Sequence, residues 1–165
     1  MKMKNNHLTA LQRATLFAHV KNAAAERGEK PEVYRKRIMR EELGVDHLSE
    51  VSRTDGFDRL MCRMLKDCDD YSHALDYTGG DIRRLRYLAL SAARQCCDGA
   101  PLSDADESSM LCKYVAGLMV QMKYSRLSKD ALAIRLQRDD GWDDFTPMQL
   151  KKVVAALNLK VRRKR

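Results

Sequence analysis

The chain has 165 residues, of which 44% are apolar and 6% aromatic, with only eight glycines and three prolines; so few turn formers exclude a turn-dense all-β fold, and Ala, Leu and Met are the residues that helix-on-helix packing uses. No apolar run reaches the ~18 residues of a bilayer span, and the N-terminal MKMKNNHLTALQR carries charge without an apolar h-region, so an intracellular protein with no membrane partner is expected. The net charge is +8, which favours a polyanionic partner; the last six residues, Lys160 to Arg165, carry five of those charges and leave +3 for the rest.

The predicted fold is all-α, with about seven helices. Thr9 caps a first helix from Ala10 to about Arg27, stopped by Gly28. On it Leu16, Phe17, Val20 and Ala24 share a core face, and His19 faces solvent. Pro31 suits the first turn of a second helix, because its missing N–H is not needed there. That helix runs to Leu43, with Gly44 just past its end. Tyr34, Ile38, Met39 and Leu43 take one side, and Lys36, Arg37 and Arg40 form a basic arc on the other. A third helix is predicted from Asp55 to Ala74, with Phe57, Leu60, Met61, Met64 and Leu65 at 3-4 spacing.

Tyr77-Thr78-Gly79-Gly80 is the linker candidate. It separates an N-terminal lobe, 1–77, from a C-terminal lobe, 81–159, with a basic tail, 160–165, that is expected to fray. The fourth helix, from Asp81 to about Cys97, buries Ile82, Leu85, Leu88, Ala89, Ala92 and Cys96, and presents Arg83, Tyr87, Leu90 and Arg94 on its opposite face. Asp98-Gly99-Ala100-Pro101 ends it. Ser103 caps a fifth helix with Asp104, Asp106 and Glu107 in its first turn, where the helix dipole favours acids. Ser128 caps a short sixth helix through Arg138. Thr146-Pro147 opens a seventh, whose buried stripe is Leu150, Val153, Val154 and Leu157.

Gly141-Trp142-Asp143-Asp144-Phe145-Thr146 echoes Gly44-Val45-Asp46-His47-Leu48-Ser49 in kind. The first and fourth helices also align, with Gly28 opposite Gly99. The shared plan of helix, glycine, helix, glycine turn and helix allows two duplicated three-helix lobes; coincidence among helical sequences explains it equally.

Three basic features are candidate nucleic-acid contacts: Lys36, Arg37 and Arg40; Arg83, Arg84, Arg86 and Arg94 with Tyr87 among them; and Lys160, Arg162, Arg163, Lys164 and Arg165. Arginines on a helix face contact phosphates, and a tyrosine among them stacks or hydrogen-bonds. Such faces also occur merely as solvated helix surfaces whose stems cover apolar residues. The connections at 44–54 and 139–146 are longer than a helix-turn-helix turn, so sequence-specific recognition is not expected. Trp142, the sole tryptophan, reads as a hydrophobic plug or as an exposed anchor for a protein partner. Cys62, Cys68 and His73 have the wrong angular spacing for a tetrahedral metal site, and all five cysteines read as reduced, with Cys96 in the core and Cys97 nearer its edge. The acidic runs at 67–70 and 139–144 lack the interleaving of a calcium loop. No nucleophile elbow, phosphate-binding loop or zinc-protease motif occurs. A non-enzymatic protein without cofactor or metal is therefore expected.

The segments Asn22-Ala23-Ala24-Ala25-Glu26-Arg27-Gly28, Glu32-Val33-Tyr34-Arg35 and Leu43 to Ser49 resemble the GemA-type regulatory proteins of Mu-like phages and prophages. The likeness is strongest over residues 10–65; residues 98–110 and the basic C-terminus lie outside it. The resemblance implies an all-helical phage or prophage regulator in the cytoplasm of a bacterial host, acting on host gene expression or DNA topology, with no catalytic residues to carry over. DNA is the expected partner. The rival reading is a helical protein–protein adaptor acting on a host or phage protein.

Overall fold

Local capping sets where the helices begin and end. Thr9 and Gln12 form a reciprocal capping box at the first helix, each side chain bonding the other's backbone N–H at 3.1 Å, which satisfies two donors the helix itself cannot. Thr146 and Gln149 repeat the device at the last helix. Gly28 and Gly44 end the first two helices at φ 64° and 65°, the left-handed region that costs a glycine nothing.

The computed structural model describes residues 6–97 and 104–163, except for the side chains of 104–106 and 139. The predicted stop at Asp98 to Pro101, the Ser103 cap, the side chains of Asp104 and Asp106, and the terminal Lys164 and Arg165 lie outside the described residues. The chain is all-α: eight α-helices and no strand occur among the described residues, and an isolated bridge joins His7 to Ser52.

Two units divide between Gly79 and Gly80, both at positive φ. The first holds α1 (Ala10–Arg27), α2 (Pro31–Leu43), a 3-10 turn at Leu48–Glu50, α3 (Asp55–Asp67), α4 (Tyr71–Ala74) and a 3-10 turn at Leu75–Tyr77. Its core joins Leu16, Val20, Ala23 and Ala24 of α1 to Tyr34, Ile38 and Met39 of α2, and to Leu60, Met61 and Met64 of α3. The second holds α5 (Ile82–Cys96), α6 (Asp104–Gln121), α7 (Lys129–Leu136), a 3-10 segment at Asp139–Asp144 and α8 (Pro147–Arg163). There α5 packs on α8, and α6 on α7. Leu85, Leu88 and Ala92 of α5 and Leu150, Val153, Val154 and Leu157 of α8 are buried. Cys96 is buried and Cys97 half-buried.

Several boundaries and faces differ from expectation. The predicted third helix is two. Asp69 takes φ 55°, its N–H bonds Lys66 O at 2.9 Å, and the Asp70 N–H reaches back to Leu65 O at 2.8 Å. This is a Schellman stop with an aspartate where a glycine is usual. Asp70 then restarts the chain by accepting from the His73 N–H. Phe17, assigned to the core, is exposed, with the Arg35 guanidinium 5.7 Å from its ring centre; Ala23 takes its place. His19 is half-buried, and its Nδ1 lies 2.9 Å from Thr15 O. Nor does the basic C-terminus fray from Lys160: α8 continues to Arg163, held by the buried Val161.

The two glycine turns do different work. Gly44 sits at positive φ with open space around it, whereas Gly141 is buried, and a Cβ there would stand 2.0 Å from the Arg135 carbonyl oxygen. Close backbone approach, not backbone freedom, demands this glycine. Gly141→Ala is expected to destabilise the second unit by about 2–3 kcal/mol through forced displacement of packed backbone. Urea denaturation monitored by Trp142 fluorescence measures it, and a change under ~0.5 kcal/mol would show that the turn relaxes freely.

Candidate nucleic-acid interface

Charge is unevenly divided between the units. The first has 14 Lys and Arg against 13 Asp and Glu, a net +1; the second has 17 against 10, a net +7. Ion pairing sharpens the contrast. On α2, Lys36 pairs with Glu32 at 3.2 Å, Arg37 with Glu29 at 2.5 Å and Glu41 at 3.4 Å, and Arg40 with Asp46 at 2.5 Å. The bond to Glu29 raises the Arg37 guanidinium further above its ordinary range, and the Arg40 bond holds Asp46 below the usual carboxylate range. The expected basic arc is therefore locally near neutral, with a carboxylate beside each cation.

Among the described residues the densest ion cluster is also in the first unit, around Asp67. Its side chain is buried and receives Arg27 at 2.8 Å, the Tyr34 hydroxyl at 2.7 Å, Arg63 at 3.0 Å and Lys66 at 2.8 Å. Arg63 also reaches Glu41 at 2.8 Å and Glu42 at 2.7 Å. These bonds tie α1, α2 and α3 together.

In the second unit, α5 projects Arg83 and Tyr87 into one groove of about 630 Å³ with Arg86. Asp140 and Asp143 line the other side, and Trp142 the floor. The groove thus presents both signs of charge. Arg94, expected beside them, is instead held by Glu107 at 2.5 Å. Arg135 and Asp144 pair on the neighbouring turn.

The anchor reading of Trp142 is overturned. Its side chain is 0% exposed, and its indole N–H donates to the Leu136 carbonyl at 2.8 Å. The Arg86 guanidinium lies 5.9 Å from its ring centre. The 3-10 segment turns the ring inward under α5 and α7, where a large aromatic with one satisfied donor packs well.

The end of α8 is different again. Arg162 and Arg163 are exposed, and the Lys160 ammonium stands 5.3 Å over the Tyr114 ring. Among the described residues none of the three meets a carboxylate. Tyr114 also borders a second pocket of about 410 Å³ with Ser109, Met110, Lys113 and Lys129. Burial raises the Tyr114 phenol above its ordinary pKa, and Cys96 adds to the effect. Lys113 and Lys129 were not singled out in the sequence, because each is an isolated cation and only the packing of α6 on α7 brings them together. The Lys129 stem passes over Gly117 of α6, with its Cε 3.4 Å from where a Cβ would stand, an ordinary contact distance.

Among the described residues no three His, Cys, Asp or Glu side chains converge on a possible metal position, and no helix is long and apolar enough to cross a membrane. The chain matches no protein-family model, no curated protein and no solved structure.

Proposed function

We propose that this chain is a non-enzymatic regulatory protein of the phage or prophage type that binds DNA with weak sequence specificity through its second unit. The observation that carries the reading is the last turn of α8, where Lys160, Arg162 and Arg163 all lack carboxylate partners among the described residues. Unpaired cations attract phosphates without first breaking an ion pair, whereas the α2 cations start from neutralised positions. The GemA-like segments over residues 10–65 support the regulatory class, with the first unit as scaffold. The mixed charge of the Arg83–Tyr87 groove makes it a weaker phosphate contact than the α8 end.

The adaptor reading has its own support on the same helix. Met148 and Leu159 are 63% and 55% exposed and share the outward face of α8 with Lys152 and Arg163. Two apolar groups flanked by cations suit an acidic, partly apolar protein surface.

Duplex DNA binding across a salt series separates the two. Substitution is preferable to truncation at Leu159, because Val161 is buried and its loss would damage the fold. The variant Lys160→Gln/Arg162→Gln/Arg163→Gln is expected to lose affinity and to flatten the slope of log K against log salt by about 0.9 for each phosphate contact removed. No binding by the unsubstituted chain at low salt would sink the DNA reading and leave the adaptor standing.

A further inference from the structure

The pocket between α6 and α7 is bordered by two lysines. Its lining is Ser109, Met110, Lys113, Tyr114 and Lys129, with no carboxylate. Ser109, Lys113 and Gly117 follow one another at four-residue spacing, so they form one line along α6. Lys129 crosses that line at its bare position: a Cβ on Gly117 would lie 3.4 Å from Lys129 Cε and 3.5 Å from Cδ. The Lys129 stem therefore lies against α6 at Gly117, one turn from Lys113. Neither ammonium has an acidic partner among the described residues, so two like charges border one cavity with nothing between them to offset their repulsion.

Polar chemistry completes the arrangement. Gln137 Nε2 donates to Ser109 Oγ at 3.2 Å, which leaves the serine O–H free to donate into the pocket. Lys160, over the Tyr114 ring at 5.3 Å, links the pocket to the cationic end of α8. The volume of about 410 Å³ holds a phosphate group with its ordered water.

We infer that Lys113, Lys129 and the Ser109 hydroxyl form a phosphate-binding pocket, whose ligand is a backbone phosphate of the nucleic acid or a free phosphate-bearing molecule. The first source rests on the DNA-binding reading above; the pocket itself does not. An anion seated there relieves the repulsion of the two ammoniums and accepts from three donors.

The test uses the full chain in two arms. In the first, inorganic phosphate is titrated at constant ionic strength while amide resonances are followed by NMR. Saturable shifts confined to Ser109, Gly117, Lys129 and their neighbours are expected, and they should vanish in Lys113→Gln/Lys129→Gln. Shifts that fail to saturate, spread evenly over the lysines and arginines, or persist in the double variant overturn the pocket. In the second arm, duplex DNA binding is measured against salt. The double variant should flatten the slope by about 1.8, two contacts at ~0.9 each, while the equal-charge control Arg13→Gln/Lys21→Gln leaves it unchanged. Saturable phosphate shifts with an unaltered DNA slope support the pocket and assign it to a free phosphate compound. If the unsubstituted chain does not bind DNA at all, the DNA reading falls, and the phosphate titration still decides the pocket.

Discussion

Trp142→Ala is expected to destabilise the second unit by about 3–5 kcal/mol, the range for deleting a fully buried large aromatic. The indole is 0% exposed and lies where α5, α7 and the 3-10 segment meet. Its removal leaves a cavity and strips the Leu136 carbonyl of its donor at 2.8 Å, adding roughly 1 kcal/mol. Trp142→Phe keeps most of the volume and should lose about half as much. Chemical denaturation followed by far-UV circular dichroism measures both, since the substitution removes the fluorophore. A loss below ~1 kcal/mol in the alanine variant would mean that the packing around residue 142 collapses onto the space at little cost.

Asp67→Ala is the corresponding lesion in the first unit. Burial alone would raise the Asp67 pKa, but hydrogen bonds from Lys66 and Tyr34, with the charges of Lys66 and Arg63, more than offset it and hold the carboxyl at about 2 rather than 3.8. Tyr34 is pushed well above the ordinary phenol range, first by burial and then by Asp67, so it remains a donor. The depression corresponds to about 2–3 kcal/mol of stability. Because the folded-state value is the lower one, that stability is fully present above about pH 4. It is lost as the pH falls from about 4 towards 2, where the folded-state carboxyl takes up its proton. Asp67→Ala should therefore cost about 2–4 kcal/mol at neutral pH and show a shallower loss of stability over that acid window. Tyr34→Phe should cost less, about 1–2 kcal/mol. Equal acid sensitivity in Asp67→Ala and the unsubstituted chain would show that other carboxylates govern the window.

Features set by neighbours along the chain were legible in the sequence. Thr9, Pro31, Gly28, Gly44, Ser128 and Thr146 act within a turn of themselves, and each stands at the boundary its chemistry demands. The stripes of α3, α5 and α8 follow the 3.6-residue period, because a helix has one buried side. The break at Asp69 was hidden because an aspartate seldom takes φ 55° without support from its surroundings. The candidate cations were legible as residue types, but their partners were not. Glu29 and Arg37 meet across the α1–α2 turn, and Arg94 meets Glu107 between α5 and α6, so only folding shows which cations remain unpaired. Trp142 was ambiguous for the same reason: an aromatic in a turn serves equally as plug or anchor until the neighbouring helices are placed.

The Asp67 cluster also bears on how the first unit opens. Arg63 and Lys66 lie on the carboxylate's own helix, but Arg27 and Tyr34 come from α1 and α2, 40 and 33 residues away in the chain. Peeling α1 away exposes the carboxylate to water on one side; peeling α2 away removes the buried phenol donor. Neither helix leaves without disturbing the contacts that hold the other. In hydrogen-exchange terms, the amides of α1, α2 and α3 around this point are expected to open together rather than fray one helix at a time.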